Sequence, residues 1–434
     1  MKYLSSTGGL PNMILAFCLY VSLFRGTYMG LFYPAAESEI GGIDYTYQTV
    51  MSGILLVGMC SYFFLKNNYK DIIYVLSKPL PLLITCGALV SLALSVDVGQ
   101  SIKVLVATLV LTLPIFLYHR EHGYEGLLEV FAKFMIFVTV ANIVYTILFP
   151  QYAFMVGNHD GAWRGLFEHK NPAGAIMGLG GFIIWNKIGS KSGLQYALYA
   201  VCILTCFLFS AISLSSTAWI TTSFMGVLYL LFFFLLSINS PKERIAIILF
   251  FLGAVTLVYM LWGSDIADGF FDIIGKDRTF TGRTGVWSAI FKLVEDRPLF
   301  GFGPGVAEQV DFMKQIQGEV GWEVKSMHNS YLDILVSYGY PVTVLLLAGV
   351  FFAILKNLTS FVSSENRRKV SCLAIGNAMI LDMMMECFTE SGGFLGRSII
   401  WLFIFAGLCI ISSVDVDQND RHKEIASEGK NEIS

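Results

Sequence analysis

The chain reads as a succession of apolar runs separated by short polar breaks. A helix needs about 20 apolar residues to cross a hydrocarbon layer roughly 30 Å thick. Runs of that order recur at 11–33, 46–65, 79–96, 102–118, 128–149, 172–186, 194–212, 217–238, 245–262, 331–355, 370–388 and 398–413. The pattern predicts an all-α polytopic transmembrane helical bundle of about 12 spans. The run at 172–186 is short and glycine-rich; Gly174, Gly178 and Gly181 suit a helix wedged against others better than one facing lipid. Two polar stretches are long enough to hold structure of their own, 150–171 and the 68 residues from Gly263 to Ser330. Within the second, Trp287, Ile290, Phe291 and Val294 fall at i, i+3, i+4 and i+7, which predicts an amphipathic helix. Pro298 ends it, and its apolar face is expected to lie in the headgroup region against the acyl boundary.

The chain divides accordingly. Residues 1–262 hold spans one to nine with the loop 150–171, and 263–330 form a long, partly helical extracytoplasmic loop. Residues 331–413 hold the last three spans, and 414–434 form a polar tail expected to be disordered and cytoplasmic. The first run, preceded only by Lys2 and followed by no small-residue cleavage pattern, reads as a retained anchor.

Orientation follows from lysine and arginine, which resist translocation in short loops. With the N-terminus inside, the inner loops hold twelve: Lys66, Lys70, Lys78, Arg120, Lys187, Lys191, Lys242, Arg244, Lys356, Arg367, Arg368 and Lys369. The short outer loops hold three, Arg164, Lys170 and Arg397. Both termini are therefore expected in the cytoplasm, with the two long loops on the other face. Composition agrees: 55% of the 434 residues are hydrophobic and 14% charged, which excludes a soluble globular domain. The net charge of −3 gives no sign of a nucleic-acid partner. All eight cysteines lie in or beside apolar runs, so neither a disulfide framework nor a thiolate metal site is expected.

Candidate chemistry gathers in the outer loops. "GRTGVWSAIFKLVEDRPLFGFGPG" (282–305) puts Arg283 at the start of the amphipathic helix, where free N–H groups and the helix dipole favour an anion. The guanidinium fork would complete a phosphate site; the plain alternative is a surface arginine. "GFGPG" reads as a tight turn that sends the chain back to the membrane. In "MHNSYLDILVSYGYP" (327–341), His328 and Asn329 stand just before the tenth span, with Asp333 one turn on. His328 could act as a general base or orient a phosphate, or be a structural histidine. "WRGLFEHKNPAG" (163–174) places Arg164, His169 and Lys170 ahead of a helix whose start is signalled by Asn171 as N-cap and Pro172. Inside the eleventh span, Asp382, Glu386 and Glu390 recur at i, i+4 and i+8, and Arg25 lies in the first; ionisable groups at such depth pair with one another or serve function.

Together these motifs resemble the O-antigen ligase/polymerase family of bacterial membrane glycosyltransferases, over roughly Trp163 to Trp401. "WRGLFEHKNPAG" is most similar to its exopolysaccharide polymerase branch. The resemblance implies a donor glycan on a polyprenyl diphosphate, a glycan or lipid acceptor, and a site at the outer face of the bacterial cytoplasmic membrane. It implies chain-length regulator or export proteins as further partners, and no cofactor or metal. It assigns catalysis to His328, Arg283 and Arg164 and diphosphate binding to the two arginines; beside them, the residues themselves suggest Lys170 as a further diphosphate contact and His169, Asn171, Asn329, Asp333, Asp382 and Glu386 for support or proton transfer. Two departures stand out. His328-Asn329 and Gly339 fit the ligase pattern, but Val342 fills its last place. "SLSSTAW" (213–219) lacks the basic residue often found in that serine-rich motif. The polymerase reading is favoured, a ligase being the alternative. A transporter of an anionic lipid or solute, binding with the same arginines, fits less well because every cluster lies on one side.

Overall fold

The computed structural model describes residues 9–27, 46–66, 69–156, 159–274, 283–322, 324, 326–363, 365–391, 393–394 and 398–413. Residues 28–33 of the first apolar run, Gly282, Arg397 and the tail 414–434 lie outside these. The helices that carry the apolar runs are α1 (Leu10–Gly26), α2 (Thr46–Lys66), α4 (Pro79–Ala93), α5 (Val98–Leu148), α6 (Lys170–Ile188), α7 (Gly193–Ile212), α8 (Ser216–Ser237), α9 (Pro241–Ile274), α12 (Ser330–Thr359), α13 (Arg367–Glu386) and α14 (Ile399–Ser412). Between them lie α3 (Tyr69–Leu76), α10 (Arg283–Val294) and α11 (Val310–Val320). The fold is an all-α polytopic membrane protein. Six of its helices are long and apolar enough to cross a membrane, and three shorter ones are apolar.

The twelve apolar runs fall on eleven helices, because 102–118 and 128–149 are the two halves of α5. Fifty-one residues is far more than one crossing needs, and the helix breaks at Gly123, whose φ of 67° and ψ of −177° reverse the chain. The run ending at 262 stops where α9 kinks at Trp262.

Contacts keep the two sides apart. Lys66 pairs with Glu121 at 2.5 Å, Lys191 with Glu129 at 2.7 Å, and the fully buried Arg244 donates to the Leu358 and Ser360 carbonyls. All lie in, or at the edge of, loops expected on the inner side. The loops expected outside meet each other in the same way, as Val96 with Phe302 and Asn171 with Glu390.

α6 and α13 form the interior, buried along most of their length and less apolar than their neighbours. α6 sits against α7 and α8 because its glycines allow it: a Cβ at Gly174 would lie 2.4 Å from Ser213 Oγ and 2.6 Å from Ala218 Cβ. α6 begins earlier than the sequence suggests. His169, not Asn171, is the N-cap, its Nδ1 accepting from the Asn171 N–H, so Asn171 is already inside the first turn and its side chain is free for other contacts.

The long outer loop folds onto the bundle around its own apolar core, in which Val286, Ala289, Ile290 and Val294 of α10 meet Phe312 and Ile316 of α11 and Leu332 and Val336 of α12. This corrects the expectation of a helix lying in the lipid headgroups. The buried stripe of α10 runs through Val286, Ala289, Ile290 and Val294, while Phe291 faces away. Burying aliphatic side chains at about 1.5–3 kcal/mol each favours this internal packing. Trp287, half-buried, fixes the helix further by donating to the Met327 carbonyl at 3.1 Å.

The glycine turn after α10 is threaded into a break in α12. Phe302 N–H donates to Val336 O (2.7 Å), Gly303 N–H to Ser337 O (3.1 Å) and Tyr340 N–H to Pro298 O (2.8 Å). Gly339 opens the helix for this with φ 74° and ψ 179°, and a Cβ there would lie 2.6 Å from Pro298 O. Gly339→Ala should therefore lower stability by about 1–3 kcal/mol, through strain and collision together. The check is thermal unfolding of the purified protein in detergent; an unchanged midpoint would mean that the turn is not held this way.

Candidate functional site

Four segments converge where α6, α8 and α12 begin and α13 ends. The first is 164–171. Arg164 is fully buried and donates through Nε to Tyr152 O (2.8 Å) and through Nη1 to Glu168 O (3.1 Å). Its guanidinium ties Tyr152 to Glu168, just ahead of α6. Burial pulls its pKa below the usual arginine value and raises that of Glu168, although the Arg164 charge opposes the latter shift. Lys170, also buried, donates from Nζ to Leu214 O at 2.8 Å. Leu214 has a left-handed backbone, φ 49°, and lies in "SLSSTAW". The cation missing from that serine-rich turn thus reaches it from the neighbouring helix. Asn171 accepts from Ser215 Oγ (2.9 Å) and donates to Glu390 Oε1 (3.3 Å).

The second segment is the start of α10, where Arg283 is half-buried. Its Nη1 donates to Thr389 O at 2.9 Å, leaving most of the guanidinium edge uncommitted among the described residues. Burial lowers its pKa and the nearby Glu390 partly restores it, so it stays charged at any physiological pH.

The third segment is 326–333. Asn329 caps α12, its side chain accepting from Tyr331 N–H (3.0 Å) and Leu332 N–H (3.2 Å). Its role in the structure is therefore that of a helix cap. His328, immediately before, has φ 49°, an uncommon conformation for a residue with a side chain. It is half-buried, and its N–H donates to Ser326 Oγ at 3.2 Å. Burial, reinforced by the charge of Arg283, pushes its imidazole down to about 4. His169 is likewise pushed down to about 4, by burial first and then by His159, Lys170, His328 and Arg164, and its ring centroid lies 5.9 Å from that of His159. Both histidines are thus neutral at pH 7. Asp333 is buried one turn into α12.

The fourth segment, 386–391, joins the other three. Besides the contacts from Arg283 and Asn171, Ser330 Oγ donates to Glu390 O (2.5 Å) and Ser326 Oγ to Ser391 Oγ (2.9 Å). Asp382 and Glu386 lie deeper on α13; both are fully buried, and their carboxylate oxygens have no hydrogen-bond partner among the described residues.

The structure thus brings Arg283, His328, His169, Lys170 and Asn171 around the end of α13 and leaves Asp382 and Glu386 below it. It also adds two groups that sequence reasoning left without a role, Glu168 and the turn Thr389–Ser391. Glu390 was visible as the outer end of an i, i+4, i+8 series, but nothing in one dimension shows that three distant motifs bond to its neighbourhood. Arg25 has a partner in Ser52 Oγ at 3.4 Å and lies apart from this cluster.

Comparison with known proteins bears on the cluster. Residues 200–347, which include α10, His328 and Asn329, match the O-antigen ligase family. The exopolysaccharide production protein ExoQ of Rhizobium meliloti (strain 1021) is 26% identical over 274 residues, covering 57% of this chain. The match spans 58% of that relative, less than two thirds of its length. No solved structure matches the chain. In its motif order and in these two matches, the chain is similar to the O-antigen ligase/polymerase family.

Proposed function

We propose that the protein is a membrane glycosyltransferase that polymerises polyprenyl-diphosphate-linked oligosaccharide repeat units into a surface or exopolysaccharide at the outer face of the cytoplasmic membrane. The observation that carries this reading is the pairing of Arg283 with His328. The permanent cation is close enough to act electrostatically on the neutral imidazole, and both belong to segments that meet the turn after α13. The name of the Rhizobium relative favours exopolysaccharide production over ligation, as does the absence of the last ligase motif residue at Val342.

The reaction follows from the groups present. The acceptor hydroxyl attacks the anomeric carbon bonded to the diphosphate, the carbon–oxygen bond to the diphosphate breaks, and configuration inverts. Arg283 faces the charge growing on the departing diphosphate, an interaction that strengthens in the transition state. His328, neutral at rest, accepts the hydroxyl proton. Lys170 and Arg164 act one layer back: the first holds the serine-rich turn, the second holds the loop that carries His169 and Asn171. Both are buried and bonded to backbone carbonyls, which supports giving the diphosphate-binding role first to Arg283 and the N-terminus of α10.

The test is direct. Purified protein in lipid is incubated with polyprenyl-diphosphate-linked repeat units alone, and the glycan products are resolved by length. A ladder of products is expected. Transfer only after a lipid A core acceptor is added would make the protein a ligase, and substrate occlusion without product would make it a transporter.

A further inference from the structure

Glu390 stands where the candidate motifs meet. Its Oε1 accepts from Asn171 Nδ2 at 3.3 Å, its own carbonyl accepts from Ser330 Oγ, and the carbonyl of its neighbour Thr389 accepts from Arg283 Nη1 at 2.9 Å. The guanidinium that Proposed function gives to the donor diphosphate is thus bonded to the residue before Glu390, and among the described residues the two side chains act on each other electrostatically without a direct ion pair. Glu168 acts on Glu390 from the α6 side, and its own opposite charge is Arg164, which leaves Glu390 to balance Arg283. An arginine in a half-buried cleft needs such a partner, because an uncompensated charge there is costly. A diphosphate arriving at the same guanidinium brings the same sign of charge and makes the carboxylate redundant.

We propose that Glu390 is a positioning residue that serves as the resting counter-ion of Arg283 and is displaced from that role by the donor diphosphate. Held in the turn that follows α13, Glu390 keeps Arg283 and Asn171 aligned while the site is empty. When the diphosphate binds, it competes with Glu390 for the guanidinium, and after transfer the returning carboxylate helps to expel the polyprenyl diphosphate product. Glu390 thus weakens donor binding and speeds product release, touching neither the sugar nor the scissile bond.

This assignment rests on the transferase reading, and the experiment separates the two. Full-length Glu390→Gln in lipid keeps an oxygen for the Asn171 amide but loses the charge. Its donor KM should fall roughly fivefold, as should the inhibition constant for added polyprenyl diphosphate, which is the scale of a half-buried, partly screened charge pair. Its kcat should fall as well, because product leaves more slowly. A merely structural glutamate would instead raise KM or leave it unchanged. Glu390→Ala should show the same fall in inhibition constant, with a larger loss of kcat because Asn171 is released. If wild type forms polymer and binds polyprenyl diphosphate while the glutamine variant does so with unchanged or weaker affinity, the counter-ion assignment is overturned alone. If wild type does neither, the transferase reading falls with it.

Discussion

Arg283→Ala is expected to slow glycan transfer by roughly 10²–10³-fold, with the helical bundle intact. The side chain belongs to the first residue of a helix, half-buried, and makes one hydrogen bond to a backbone carbonyl, that of Thr389. Removing it strands one carbonyl at the edge of the cleft, a modest structural loss. Under the proposed mechanism, what disappears is a fixed positive charge at the place where the diphosphate gains negative charge as the glycosidic bond breaks. Because that interaction is stronger in the transition state than in the bound donor, the loss should appear mainly in kcat. Arg283→Lys should recover part of it, since a lysine supplies the charge without the bidentate fork. The measurement is the initial rate of polymer formation by protein reconstituted in lipid, beside a circular dichroism spectrum showing unchanged helicity. A variant within twofold of wild type would remove Arg283 from the reacting centre.

Most of the fold could be read along the chain because its physics is one-dimensional. Lipid demands a continuous apolar helix of fixed length, and the described parts of the apolar runs fall on helices, six of them long and apolar enough to cross a membrane. The parts that needed three dimensions are those where polar backbone meets polar backbone. The glycines of "GFGPG" announce a turn, but only the fold shows it hydrogen-bonded into the break at Gly339, some 36 residues away. The amphipathic period of α10 was correct while its partner was not. The helix turns Ile290 and Val294 inward onto α11 and α12, whereas the sequence offered lipid as the only apolar surface in view.

The candidate site divides in the same way. Arg283 and His328 stand out in sequence because a charge and an imidazole are rare next to membrane helices. Arg164 stands out equally, yet it is buried and bonded to carbonyls of its own loop. Composition cannot separate a cation that waits for a ligand from one that ties down backbone; only its hydrogen-bond partners do. Lys170 makes the same point, since it supplies the serine-rich turn with the charge that turn lacks in sequence.

His328→Asn should reduce kcat by about 10²–10⁴-fold, the usual contribution of a positioned general base. Asparagine is the informative replacement because it tolerates the left-handed backbone at this position, φ 49°, so lost activity would not merely report strain. The pH profile distinguishes a base from a hydrogen-bonding support. In the resting site burial and the Arg283 charge hold the imidazole at about 4, so it is unprotonated above that and becomes protonated only as pH falls through it. kcat/KM, which reports the free enzyme, should therefore hold steady from pH 8 to about pH 5 and fall only as pH approaches 4. The bound donor changes the balance. Its diphosphate neutralises Arg283, one of the two causes of the depression, and adds negative charge, so the imidazole becomes a stronger base once substrate is present. The acid limb of kcat should then lie at higher pH than that of kcat/KM. Arg283→Ala should move the kcat/KM limb upward too, and the limb assigned to His328 should vanish in the asparagine variant. If His328→Asn retains full rate, or if the limb persists in it, the proton goes to another group, and the half-buried His169 beside it is the next to replace.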